Sequence, residues 1–173
     1  MKIRKLHSLL LVVGILLAVA GACDTSECEG NRNSLPIAAF MSSTEQPYAI
    51  ALDTIHLAGL GAPSDSILTY YSAEQAYIPF NNDSHVTRYV LEYNRIPQEL
   101  FDTVTFEYDP EPWFESTDCG VFYKYEIQRI THTTHFIDSV TCPSGVIDNT
   151  PGQNIFIYLR TQTAMSSIAV THE

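Results

Sequence analysis

FDTVTFEYDPEPWFESTDCGVFYKYEIQRITHTTHFIDSV, residues Phe101 to Val140, is the most regular run in the chain. Its first part alternates, with Val104, Phe106 and Tyr108 to one side and Thr103, Thr105 and Glu107 to the other. Asp109-Pro110-Glu111-Pro112 then reads as a proline-punctuated loop. After Cys119-Gly120 a longer alternation begins: Val121, Tyr123, Tyr125 and Ile127 against Phe122, Lys124, Glu126 and Gln128. A period of two over such a length means half-buried β-sheet. Gln128 to Thr134 reads as the turn of a central hairpin.

Working outward, the other apolar runs are short and extended. Leu35 to Met41 suits an edge strand entered through Pro36, and Ile50 to Leu60 a strand or pair broken at Asp53-Thr54. Ile67 to Tyr71 and Ala76 to Phe80 are short strands, the second placed at an edge or bulge by Pro79. Val86 to Tyr93 puts Thr87, Tyr89, Leu91 and Tyr93 on one face; His135 to Cys142 follows. Asn154 to Arg160 closes the domain with Ile155, Ile157 and Leu159 inward. Gly59 to Asp65, Asn81 to Ser84 and Pro143 to Gly152 are loops. The expected fold is all-β, a single antiparallel β-sandwich domain, immunoglobulin-like or similar, with roughly 7–9 short strands.

The N-terminus predicts export. Lys2, Arg4 and Lys5 precede an apolar-and-small run from Leu9 to Ala22, whose apolar part, Leu9 to Val19, is too short to span a bilayer. Ala20-Gly21-Ala22 fits ordinary signal cleavage, and Val19 to Cys23 resembles a bacterial lipobox, whose cysteine is acylated. The expected organisation is a signal peptide over 1–22, an acidic tether over 23–34 beginning at a lipidated Cys23, the sandwich over 35–160 and a tail over 161–173. Loss of the signal lowers the net charge from −11 to −14 and leaves Lys124 as the only lysine. Such a surface repels phosphate backbones, so nucleic acid is not an expected partner. The expected partners are a membrane, through Cys23, and an envelope protein or glycan.

The chain has four cysteines. With Cys23 acylated, Cys28, Cys119 and Cys142 remain, and one of them is left over in an oxidising compartment. Cys28–Cys119 would close a long loop, worth roughly 4–5 kcal/mol, and Cys119–Cys142 a shorter one, worth about 3 kcal/mol. The residues alone leave both pairings open.

Tyr77-Ile78-Pro79-Phe80-Asn81, Phe101 to Tyr108, Glu111-Pro112-Trp113-Phe114 and Asp118-Cys119-Gly120-Val121 together carry a resemblance. With the early Cys28 and the closing Ile155 to Leu159 run, the chain resembles a family of uncharacterised lipoproteins of Bacteroidetes-type bacteria, known as a domain of unknown function. The resemblance implies an outer-membrane lipoprotein, facing periplasm or cell surface, and favours Cys28–Cys119 with Cys142 unpaired. It implies no reaction. Asp24, Glu27 and Glu29 are similar to the acidic export tag of such lipoproteins, or simply a polar linker.

Chemistry is sparse in the pattern. His132-Thr133-Thr134-His135 is the nearest approach to a metal motif, yet residues three apart on a strand face opposite ways, and polar turn residues are the better reading. No nucleophile elbow, zinc helix or calcium loop is present, so no catalytic, cofactor or metal set is expected. The acidic residues Glu107, Asp109, Glu111, Glu115 and Asp118 read as a solvated face. In the adjacent pairs Tyr70-Tyr71 and Trp113-Phe114 one member must face outward, although core packing is the commoner use. Asp-Ser/Thr-apolar triplets recur and resemble an O-glycosylation sequon of exported Bacteroidetes proteins. Their acceptors would be Thr54, Ser66, Thr103 and Ser139. The same triplet is a natural entry from turn to strand. The expected role is a lipid-anchored structural or binding module; the alternative is an accessory glycan-binding protein or hydrolase acting on surface polysaccharide.

Overall fold

Alternating side chains lay the chain out as strands in two sheets. The structure, a computed structural model, describes residues 36–61, 66–93, 101–117 and 119–160, and of residues 53, 54, 66–71 and 115 the backbone only. The signal, Cys23, the tether with Cys28, the tail, Asp118 and the side chains of Thr54, Ser66, Tyr70, Tyr71 and Glu115 lie outside what is described.

The smaller sheet has the order β4-β1-β10-β8, from Gln75–Tyr77 (β4), Ile37–Ser42 (β1), Ile155–Leu159 (β10) and Ile137–Thr141 (β8). The larger has the order β3-β2-β5-β6-β7-β9, from Ser66–Ala73 (β3), Leu52–Gly59 (β2), Val86–Tyr93 (β5), Phe101–Ser116 (β6), Gly120–His132 (β7) and Val146–Ile147 (β9). One core joins them. Phe40, Ala76, Ile137, Ile155, Ile157 and Leu159 from the smaller sheet meet Ile55, Leu57, Leu91, Val104, Phe106 and Tyr108 from the larger. The all-β, two-sheet sandwich expected from the periodicity is therefore the fold, with ten strands among the described residues. One pairing departs from the antiparallel expectation. β1 runs parallel to β10, Ala38 opposite Ile155 through Ser42 opposite Leu159, so the two ends of the domain lie side by side. Asn154 sets that pairing: its Oδ1 accepts from the Ile37 N–H at 2.8 Å, and its own N–H reaches the Ile37 carbonyl at 3.2 Å.

The central hairpin is β6–β7, and its turn is the Thr117 to Cys119 region rather than Gln128 to Thr134. Residues 133–136 instead carry the chain from one sheet to the other, because β8 pairs with β10 and not with β7. The Asp109 to Pro112 stretch is not a loop either. β6 runs straight through both prolines, Pro110 opposite Tyr125 and Pro112 opposite Tyr123. The reason lies in which way their nitrogens point. The Tyr108 N–H is directed to the β5 side, onto the His85 carbonyl at 2.9 Å. Nitrogens two and four residues on, those of Pro110 and Pro112, point to the same side, where β5 has already ended. The missing donors would have faced an open edge, the place where a sheet tolerates proline.

β7 keeps the expected alternation from Val121 to Ile127 and loses it at Gln128. Tyr125 is buried in the core, while Phe122 is buried outside it and Val121 is exposed. A register shift opposite Glu107 and Tyr108 leaves Gln128 as an extra residue in β7 and offsets the two halves of the strand.

Three tyrosine hydroxyls fasten the connection between β4 and β5. Tyr89 donates to the Pro79 carbonyl. The Tyr108 hydroxyl donates to the Asn81 carbonyl at 2.9 Å and accepts from the Asn81 N–H at 3.0 Å. Tyr125 donates to Asn82 Oδ1 at 2.5 Å. Phe80, held between these anchors, stacks on Tyr108 at 4.4 Å and meets Phe106 at 5.1 Å and Tyr125 at 5.2 Å. The Ile-Pro-Phe-Asn stretch is thus a plug for one end of the core.

Burial raises the hydroxyl pKa of Tyr89, Tyr108 and Tyr125; for Tyr125 burial, then Tyr108 and Tyr123, push it to about 12. The unfolded chain ionises first, near the ordinary value of 10.0, so this stability is whole below that pH and is lost as pH rises towards about 12. Tyr125→Phe should lower stability by about 1–2 kcal/mol at neutral pH. It should also flatten the alkaline fall, as read by urea midpoints across that range.

Candidate functional site

Two features stand apart from ordinary sandwich packing. The first is a carboxylate inside the core. Asp102 falls on the inward parity of β6 with Val104, Phe106 and Tyr108, and its side chain is 0% exposed. Its Oδ1 accepts from the Thr133 hydroxyl at 2.6 Å, the His135 N–H at 2.9 Å and His135 Nδ1 at 3.1 Å. Its Oδ2 accepts from the N–H groups of Phe136 at 2.8 Å and Ile137 at 2.7 Å. Successive backbone donors thus wrap one anion, and the crossover between the sheets is shaped around it. Burial is the strongest single influence and pushes the Asp102 carboxyl up. The hydrogen bonds from Thr133, Ile137, Phe136 and His135 together outweigh it, and the carboxyl is held below its usual range.

This accounts for the His-Thr-Thr-His stretch. Thr133 and His135 turn to Asp102, while His132 Nδ1 lies 2.9 Å from the Thr133 carbonyl, so the two imidazoles do not converge. Among the described residues no group of three or more His, Cys, Asp or Glu side chains is placed to hold a metal ion. An Asp–His pair with an exposed imidazole has the outline of a general-base dyad. The carboxylate also holds three backbone donors and a hydroxyl, so the group that orients the imidazole is the one that holds the crossover.

The second feature is an arm. β5 pairs with β6 only as far as Glu107, and β9 pairs with β7 only at Tyr125 and Glu126. Beyond them Glu111 to Ser116 and Gly120 to Lys124 continue as a ribbon of two strands. Trp113 is 48% exposed, Phe114 61% and Val121 57%. Both members of the Trp113-Phe114 pair are therefore open, where one was expected to pack inward. Pro112, Phe114, Val121 and Tyr123 prolong the core-side face, and Glu111, Trp113, Phe122 and Lys124 form the other. On that second face Lys124 Nζ sits 5.2 Å from the Trp113 ring centre and 3.8 Å from Glu111 Oε2.

Cys119, at the end of the arm, is disulfide-bonded, whereas Cys142 carries a free thiol 3.7 Å from the Ser144 hydroxyl. Cys119–Cys142 is thereby excluded. Of the glycan-acceptor candidates that are described, Thr103 is half-buried in the middle of the larger sheet and Ser139 half-buried on the edge strand β8. Asp102, first residue of the Thr103 triplet, is committed to the crossover.

A shallow groove of about 350 Å³ is lined by Ser144, Asp148, Pro151, Gln153, Asn154 and Phe156 among others. Hydrogen bonds from Thr150, then to a lesser degree the Lys124 charge, hold the Asp148 carboxyl below its usual range against a partial pull from burial.

Asp102→Ala should cost roughly 3–5 kcal/mol, because buried N–H groups lose their acceptor. Asp102→Asn tests the charge separately. A carboxyl with a lowered folded pKa stabilises fully above its unfolded value of 3.8, and that contribution disappears as pH falls through the folded value. The wild-type chain should therefore lose stability in acid more steeply than the Asn variant, measured by denaturant midpoints from neutral pH downwards.

No curated protein and no solved structure matches the chain. Residues 54–159, more than half of its length, match DUF6452, a family of unknown function, and the chain belongs to that family.

Proposed function

We propose that this DUF6452 protein is an exported lipoprotein of the bacterial outer membrane, anchored through Cys23, whose folded domain is a binding module. The observation that carries the binding role is the arm. Large apolar side chains stand in solvent on a ribbon that neither neighbouring strand covers, a use of sequence that core packing does not explain. The anchor rests on the basic and apolar N-terminus ending in Val19-Ala20-Gly21-Ala22-Cys23. Cys28 is the proposed partner of Cys119: with Cys142 free and Cys23 acylated, it is the cysteine that remains. Glycosylation at Thr54, Ser66, Thr103 or Ser139 belongs to the same export reading.

Glycan binding is the second reading, and the groove favours it. Phe156 and Pro151 offer apolar faces beside Asp148, Gln153 and Asn154, the mixture of ring contact and polar hydrogen bonding that saccharides use. Asp148→Ala with Phe156→Ala should abolish retention on envelope polysaccharide if that reading holds, and should leave it unchanged if the arm alone binds.

Protein purified from its native membrane should carry diacylglycerol on Cys23, read by mass spectrometry, and Cys23→Ala should release it to the soluble fraction. The same peptide map should show Cys28 linked to Cys119, and Cys142 alkylated without reduction. Unmodified Cys23 in membrane-extracted material overturns the anchor.

A further inference from the structure

We infer that the arm is a membrane-contacting element: the apolar face carrying Phe114 and Val121 lies against the lipid surface that holds the protein's own anchor. The inference deepens the proposed function and rests on its Cys23 anchor.

Three observations converge on lipid as the occupant. Cys119 at the end of the arm is disulfide-bonded, and the free state of Cys142 leaves only the N-terminal cysteines of this chain as partners. If the partner is Cys28, five residues separate that bridge from Cys23, and five extended residues reach at most about 18 Å. From Cys119 back to Phe114, through the turn and the end of β6, the chain spans at most about 18 Å. The acylated residue and the exposed face are therefore tethered to within a few tens of ångströms, and the anchor fixes the arm near the bilayer surface.

The two faces of the ribbon also differ in the way a surface-lying element requires. Pro112, Phe114, Val121 and Tyr123 carry no charge. On the opposite face Phe122 is already buried, and Glu111 and Lys124 flank the exposed Trp113, so what that face leaves to solvent is charge-flanked. An aromatic-bearing apolar face turned to lipid with charges turned away is the pattern of interfacial elements.

Finally, the contact need not be strong. The acyl chains supply the affinity, and a tethered contact acts at high effective concentration, so two or three exposed apolar side chains suffice to orient the domain. With a net charge of −14 once the signal is removed, the fitting surface is zwitterionic rather than anionic.

The chain has one tryptophan, so a single indole can be moved from face to face. Acylated protein, wild type and the Trp113→Phe/Phe114→Trp double variant, is bound to phosphatidylcholine–phosphatidylethanolamine vesicles with and without doxyl-labelled lipid. Both positions are exposed, so the exchange leaves the core untouched. The expected result is a blue shift and doxyl quenching of the indole at position 114, with the indole at 113 quenched less and remaining open to aqueous iodide. Vesicle-bound protein in which neither indole responds to doxyl lipid overturns the membrane contact while leaving the anchor intact. Protein that fails to sediment with vesicles overturns both. A blue shift at 114 that appears without vesicles and grows with protein concentration assigns the face to a second copy of the chain and overturns the lipid proposal.

Discussion

A single buried carboxylate decides how the two sheets of this domain are joined. Asp102 stands on the core side of β6, where any unpaired charge would be prohibitively costly. It is tolerated because the chain leaving β7 folds its next N–H groups around it. Thr133 is the hinge of that arrangement, donating its hydroxyl to Asp102 and accepting from the Thr103 N–H at 2.9 Å. β7 belongs to one sheet and β8 to the other, so the carboxylate sits where the sandwich is closed. Remove it and three backbone donors face an apolar interior. The interaction is expensive to break more than it is strong to make, which gives a unique crossover rather than a merely stable one.

The opposite end of the core follows the same rule with neutral groups. Phe80 fills the gap among Phe106, Tyr108 and Tyr125, but an apolar plug by itself has no preferred orientation. Hydroxyls from Tyr89, Tyr108 and Tyr125 hold Pro79, Asn81 and Asn82 on either side of it. The Pro-Phe-Asn stretch and the tyrosines of β5, β6 and β7 are thus one unit, although they are far apart in sequence. A family motif of this kind reads as architecture, since each member is consumed by packing or by a hydrogen bond within the core.

Much of this was legible in the sequence, and the remainder fails for identifiable reasons. Period-two alternation located β5, the first half of β6 and β10 with the correct faces inward, because a buried sheet face imposes that period directly. The same parity also placed Asp102 inward. It was the available signal for the buried carboxylate, and the turn-to-strand reading of the Asp-Thr-Val triplet masked it. Pro110 and Pro112 have the composition of a loop, and composition carries no information on which side of a strand a nitrogen faces; only the end of β5 at Val86 makes that edge open. The hairpin turn is hidden for a related reason. His132 to His135 has turn composition, yet what it turns towards is the second sheet, a non-local fact. The parallel β1–β10 pair is equally invisible, since no short-range pattern records it.

The arm joins exposed side chains to a strand edge that is poor in donors. A ribbon leaving a sheet exposes strand edges, and an open edge invites pairing with any extended chain. On the β6 edge two of the three outward-facing nitrogens, at 110 and 112, belong to proline, and only Phe114 offers an N–H. Strand addition there would lack the regular donor–acceptor alternation that a ladder needs. Strand addition to the β6 edge is thus disfavoured at the same place where Trp113, Phe114 and Val121 are left open. The β7 edge, past the point where β9 ends, has no proline to do the same. A strand approaching the arm from the β6 side therefore meets side chains, apolar on one face and charge-flanked on the other, before it meets a usable ladder.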